Sequence, residues 1–223
     1  MSQNILAVET ATAVCSVALR IRGEAAGELR RTGSGIHSEM VFVFTDQLLQ
    51  RNNMQLAGLD AILLSAGPGS YTGLRVGSSA VKGMLFGSDT GFFAVNTLAA
   101  IAMGAKLENP DAARIHAVLD ARREHLYHQD FTFDAGFPVA GAESRIRPLA
   151  DFGSIVHAGE LMAGTGIHRL PDGPAADPAR EDEHLVSALN LIALFDRAGP
   201  RKADRHAIPL IKKVAPERFE PYY

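Results

Sequence analysis

The stretch from Asp60 to Gly87 constrains this chain more than any other. Asp60–Leu64 is a short apolar run of the length of a buried strand. Gly67, Pro68 and Gly69 then end any regular element. From Gly73 to Gly87 the spacing is helical, with Val76, Ala80, Val81, Met84 and Leu85 on one broad face. The unit is therefore strand, glycine turn, helix. Such a turn aims backbone N–H groups at a helix N-terminus, where a phosphate or carboxylate can sit. It is not a P-loop, because no Lys follows the last glycine of the turn. It is not a nucleophile elbow either, since Pro68 stands where a G-x-S-x-G motif around Ser70 needs glycine.

Upstream, Ile5–Val8 predicts a strand, Glu9–Thr12 a small polar turn, and Val14–Ile21 and Ala25–Arg31 two more strands of a meander. The spacing of Met40, Val41, Phe44, Leu48 and Leu49 predicts a helix over His37–Asn52. Phe42 and Val43 widen its apolar face beyond what one core contact needs. His37 has no second His one turn away, which excludes a helical metal-binding pair. Phe92–Val95 reads as a strand, followed by a helix capped by Thr97 and running to Leu107. Asn109-Pro110-Asp111 ends that helix and marks a boundary between lobes at 1–108 and 109–223.

The second half opens like the first. Ile115–Leu119 is a strand, Asp120–Glu124 a turn, and His125–Phe133 an alternating strand. Further on, the sequence predicts a strand at Ile155–His157, a turn at Gly164–Gly166 and a mobile loop over Leu170–Arg180. A helix over Asp182–Ala198, closed by Gly199-Pro200, and an extended Ile208–Val214 complete the reading.

Charge and cysteine content narrow the function. The net charge of −3 argues against a stand-alone nucleic-acid binder, and Arg122–Arg123, Arg201–Lys202 and Lys212–Lys213 read as solvated surface charge. Cys15 is the only cysteine, so no internal disulfide forms, which fits a reducing cytoplasm. No stretch has the length of a membrane helix, and the N-terminus lacks the pattern of a signal peptide.

Four segments resemble one family in order and spacing. They are VETATAVCSVAL at Val8–Leu19, His37-Ser38-Glu39 at a helix start, AGPGSYTGLRVG at Ala66–Gly77 and LDARREHLYH at Leu119–His128. The family is TsaB, also called YeaZ, and the resemblance covers Ile5 to about Phe131. It implies an α/β, two-lobe actin-like ATPase fold (the acetate/sugar kinase–Hsp70–actin, ribonuclease H-like type) with a degenerate second lobe. It also implies a subunit of the machinery that makes threonylcarbamoyladenosine in tRNA. There the chemistry is attributed to the larger paralogue TsaD, and the ATPase TsaE completes the complex. Two departures stand out. Glu9 occupies a position where TsaB proteins usually carry Asp, and the family's C-terminal Pro-x-Tyr-Leu-Arg pattern appears as Pro209-Leu210-Ile211-Lys212-Lys213.

The resemblance implies a non-catalytic subunit that pairs with TsaD, forms a homodimer when alone, and meets tRNA only indirectly. Its partner face is expected on the two first-lobe helices, as a stripe of Met40, Val41, Phe44 and Leu48 beside Gly73, Val76, Gly77, Ala80 and Met84. On that expectation Gly77→Leu disturbs association and not folding. No metal and no cofactor is required. Weak ATP, ADP or anion contacts are expected from Thr10, Thr12, Gly67, Gly69, Arg122 and Arg123, because Asp120 is followed by Ala121 and two arginines and not by glycines. An ATP-dependent phosphotransferase of the same fold and a peptidase-like protein stay as alternatives. The first needs a general base and an adenosine pocket, the second a nucleophile with its base or a metal.

Overall fold

The computed structural model describes residues 3–170, 182–198 and 210–222. The loop expected over Leu170–Arg180 lies outside them but for Leu170, as do Arg201–Lys202 and Pro209.

The first sheet grows from the meander β1 (Ile5–Glu9), β2 (Val14–Ile21) and β3 (Glu24–Thr32). β1 pairs in parallel with β4 (Ala61–Gly67), and β4 with β5 (Gly91–Asn96). The parallel strands need helical crossovers. These are α1 (His37–Arg51), between β3 and β4, and α2 (Tyr71–Met84), between β4 and β5. Both cover one face of the sheet, over a core that includes Leu6, Val8, Ile62, Leu64, Val41, Leu48 and Val81. α3 (Thr97–Glu108) leads to the second sheet, which contains β6 (Arg114–Asp120), β7 (His125–Asp134), β8 (Phe137–Ala140), β9 (Arg145–Pro148) and β10 (Leu161–Ala163). β8 and β9 both pair with β7, at opposite ends. α4 (Phe152–Ile155) packs on the outer face of this sheet.

α3 and α5 (Ala188–Ala198) form the middle layer between the two sheets, and the largest core joins all four parts. The later part of the chain therefore builds on the first sheet as well. α5 packs on β1, β2 and β4, and β11 (Ile211–Lys213) pairs with β5. The start of α5 is held by Glu28 of β3, whose carboxylate accepts from Ala188 N at 3.0 Å and from the Ser187 hydroxyl at 2.6 Å. An anion there suits the positive end of the helix. No helix among the described residues is long and apolar enough to cross a membrane.

Several boundaries differ from expectation. Asn96, not Thr97, caps α3: its side chain accepts from Ala99 N at 2.9 Å. The helix expected from Asp182 begins at Ala188, after a 3-10 turn at Glu183–Leu185. The strand expected at Ile155–His157 is absent. Ile155 ends α4, and the strand lies at β10 instead.

The expected partner stripe needs the largest correction. Met40, Val41, Phe44, Leu48 and Ala80 lie in the first sheet's own core, and Gly73 and Gly77 are buried; only Val76 and Met84 are half-buried. Each helix packs against the sheet and also against the other, so an apolar arc wider than one contact is consumed inside the chain.

Candidate functional site

Glycines bring the first turn and the glycine turn into contact. A Cβ built on Gly69 would lie 2.3 Å from the Ala11 carbonyl oxygen, and one on Gly73 2.1 Å from that of Thr10. No side chain fits such an approach, so glycine is required at both positions. The contact is sealed by Ser70 N, which donates to Ala11 O at 2.6 Å. Ser70 also caps α2, its hydroxyl accepting from Gly73 N at 3.3 Å. These two turns form one wall of a cleft of about 940 Å3.

The β6–β7 turn forms the facing wall. Arg122 and Arg123 both take left-handed φ values, 70° and 52°. Asp120 makes this conformation tolerable, because its Oδ1 accepts from Arg122 N at 2.7 Å. Arg169 donates to the same carboxylate oxygen and to the Arg123 carbonyl. Asp120 is thus the joint of the turn. Asp120→Ala should lower the stability of the second sheet by about 1–2 kcal/mol, the cost of losing its acceptor role. Denaturant unfolding checks this. A variant that unfolds like the native protein yet fails to support a reconstituted complex would give Asp120 a role beyond the turn.

Of the residues expected to contact an anion, Thr12, Gly69 and Arg122 line the cleft. The other expected anion contacts do not. Thr10 is fully buried, with its hydroxyl against α2 and not in the cleft. Gly67 (φ 116°) is occupied from behind by the tail: a Cβ there would lie 1.9 Å from Tyr222 O, and Tyr222 N donates to Ala66 O at 2.9 Å. Arg123 is not among the lining residues, and its carbonyl is held by Arg169. His37 lines the cleft but is buried, its Nε2 lying 3.3 Å from Val14 O.

Glu9, expected in the first turn, ends β1 beneath that turn. Glu9 is almost fully buried, and burial raises its carboxyl pKa to about 7 against the lowering effect of bonds from Ala11, Ser65 and Thr10. Its Oε1 accepts from Ala11 N at 2.5 Å. The sequence also gave no sign of a paired-histidine cluster on the outer face of the second sheet. Period-2 alternation puts His116 and His128 on the face opposite Ile115, but only the β6–β7 register makes them neighbours.

A model of the TsaD family, tRNA N6-adenosine threonylcarbamoyltransferase, matches residues 31–136, which include both helices over the first sheet and the β6–β7 turn. The chain is 30% identical to the tRNA threonylcarbamoyladenosine biosynthesis protein TsaB of Escherichia coli over 226 aligned residues, covering 92% of this chain and 93% of that protein. It is 34% identical to TsaB of Haemophilus influenzae over 123 residues, a match that spans 55% of this chain and about half, 51%, of that relative. Its fold superposes on YeaZ from Pseudomonas aeruginosa with a TM-score of 0.79 at 26% identity, covering 99% of both chains. A match of that identity along nearly the whole of both sequences, on a shared fold, means that the chain belongs to the TsaB (YeaZ) family.

Proposed function

We propose that this chain is a non-catalytic subunit in the biosynthesis of threonylcarbamoyladenosine in tRNA, and that it pairs with a TsaD homologue, with a TsaE ATPase completing the complex. The observation that carries the pairing is the outer face of α1 and α2. Phe42 on α1 is 51% exposed, and Phe86, just past the end of α2, is 93% exposed. The core beneath these helices is complete without either ring, and exposed aromatic residues over a finished core suit an association surface. The TsaD family model spans both helices. A TsaD partner would then carry the same helix pair and offer a quasi-symmetric face, as would a second copy of this chain when TsaD is absent.

The cleft supports the non-catalytic part of the reading. The Ser70 hydroxyl is engaged as a helix cap and the His37 ring faces a backbone carbonyl, so neither forms half of a nucleophile–base pair. ATP or ADP would be a weakly held ligand here and not a required cofactor, since Arg122 stands where an open glycine turn would let the backbone approach a phosphate. The second sheet, with one short helix on its outer face, is read as a reduced second lobe.

Calorimetry with a purified TsaD homologue tests the pairing. Phe42→Asp should weaken binding about 100-fold, because an unpaired charge enters the contact, while the variant melts like the native chain. Native-like binding by both Phe42→Asp and Phe86→Asp would move the interface off these helices. Supplied with the threonylcarbamoyl adenylate, the chain alone should leave tRNA unmodified; robust modification would end the non-catalytic reading.

A further inference from the structure

We propose that Arg147, His128, His116 and Glu160 form an acid-labile latch that ties β9 and the turn before β10 to β7 and β6 across the outer face of the second sheet. The four side chains make one continuous hydrogen-bonded row across three strands and a turn. Arg147 Nε lies 3.1 Å from His128 Nδ1, His128 Nε2 lies 3.0 Å from His116 Nδ1, and His116 Nε2 lies 2.9 Å from Glu160 Oε2.

The chemistry of the two ends determines the proton positions between them. Arginine only donates, so His128 Nδ1 must be the acceptor and its proton must sit on Nε2. That N–H donates to His116 Nδ1, which leaves the His116 proton on Nε2, facing the carboxylate. Every link therefore runs in one direction, from guanidinium to carboxylate, with both rings neutral. The rings are nearly parallel, 13° apart with centroids 5.2 Å apart, and only 4% and 5% exposed. Phe152 of α4 closes over His128 edge-on at 5.4 Å.

The far end is tied to its surroundings. Glu160 also accepts from His157 N at 2.9 Å and pairs with Arg114 Nε at 3.1 Å, and Arg114 reaches Asp130. Among the described residues, Arg114, Asp130 and His157 are the further charged and titratable groups lining the opening beside the rings. All seven line one opening of about 320 Å3, so protons reach the row from solvent.

A second proton on either ring has nowhere to go. On His128 Nδ1 it would face the Arg147 N–H, and on His116 Nδ1 it would face the His128 Nε2–H. Burial, with His116 and Arg147 adding to it and Asp130 opposing, lowers the His128 pKa to about 4. The bond from His157 N, chiefly, lowers that of Glu160. Both shifts give stability of the same sign. The histidine contribution is complete above about pH 6.5 and is lost as pH falls towards 4; the carboxylate contribution is lost as Glu160 itself protonates. Opening of the latch also reaches the cleft. β9 continues into Leu149, whose N–H donates to Glu124 O at 2.9 Å, beside the turn that carries Asp120 and Arg122.

Nitrogen-resolved NMR of the histidine rings in the whole chain tests the arrangement, together with amide exchange at pH 7 and pH 4.5. Both rings should be the neutral Nε2–H tautomer at pH 7. At pH 4.5 the protection of residues 145–148 should fall at least tenfold further than that of β1 and β4. Arg147→Met, which removes the tautomer lock, should move the His128 titration up towards the ordinary histidine range. An Nδ1–H tautomer on either ring, equal loss of protection in both sheets, or an unmoved titration in Arg147→Met would each overturn the proposal. If Arg147→Met does not fold, the tautomer and exchange results on the native chain decide it alone.

Discussion

Gly77→Leu is expected to leave little folded protein. A Cβ at Gly77 would lie 2.3 Å from the Thr10 hydroxyl oxygen and 3.1 Å from Leu64 Cδ1. Both neighbours are fully buried, Thr10 in the first turn and Leu64 in the centre of the sheet, so neither can swing aside. Overpacking a core by a methylene or two costs about 1–3 kcal/mol. Leucine adds four carbons at a point where even the first does not fit. The expected loss, on the order of 4 kcal/mol or more, is a large part of the roughly 5–15 kcal/mol that holds a domain together. Denaturant unfolding should show a much lower midpoint or no soluble protein, and Gly77→Ala should already be destabilised. Phe42→Asp is the control, since its site is on the surface. A Gly77→Leu variant that unfolds like the native chain would show that this face of α2 does not press on the first turn.

Glu9→Gln should stabilise the protein at alkaline pH. The carboxyl pKa rises from its ordinary 4.5 to about 7 on burial, so the folded state prefers the protonated form. Stability from this group is full below about pH 4.5 and is lost as pH rises through 7. The cost at pH 8 is on the order of 3 kcal/mol. Glutamine keeps an acceptor for Ala11 N without the charge. The variant should therefore gain up to about that much at pH 8, and the gain should shrink towards pH 5. Denaturant midpoints across pH 5–8 measure it, and a difference independent of pH would mean that the carboxylate is not penalised by burial. Glu9 and His128 also oppose one another. One loses stability as pH rises and the other as pH falls, over overlapping ranges, so the native chain should show a flattened profile that Glu9→Gln makes steeper on the acid side.

Much of the first sheet follows from local pattern. The β2 limits agree with the apolar alternation of Val14–Ile21, and α1 ends one residue short of the helix read from its spacing. The glycine turn was legible because Gly67, Pro68 and Gly69 interrupt any regular element, and β4 ends at Gly67. Phe42 was visible as an excess on the apolar face of its helix. Between Asp134 and Ala163 the local signal fades, because β8, β9 and β10 are only 4, 4 and 3 residues long. A strand that short completes at most two full alternations, and its pairing partner supplies most of its stability.

What only the tertiary structure decided is the count of neighbours. An amphipathic pattern states that a face will be buried but not against how many elements, so the stripe from Met40 to Leu48 could read as a partner surface until α1 was seen packed against both the sheet and α2. The same holds for the residues that meet across the chain. Tyr222 closes behind Gly67, Glu28 caps a helix that starts at Ala188, and Glu160 accepts a hydrogen bond from His116. Each of these contacts joins residues more than forty apart, as the numbers show, and no local period encodes them. They exist because sheet register and the return of the chain bring the groups together. Burial then makes each bond obligatory, since a polar group removed from water must find its partner in the fold.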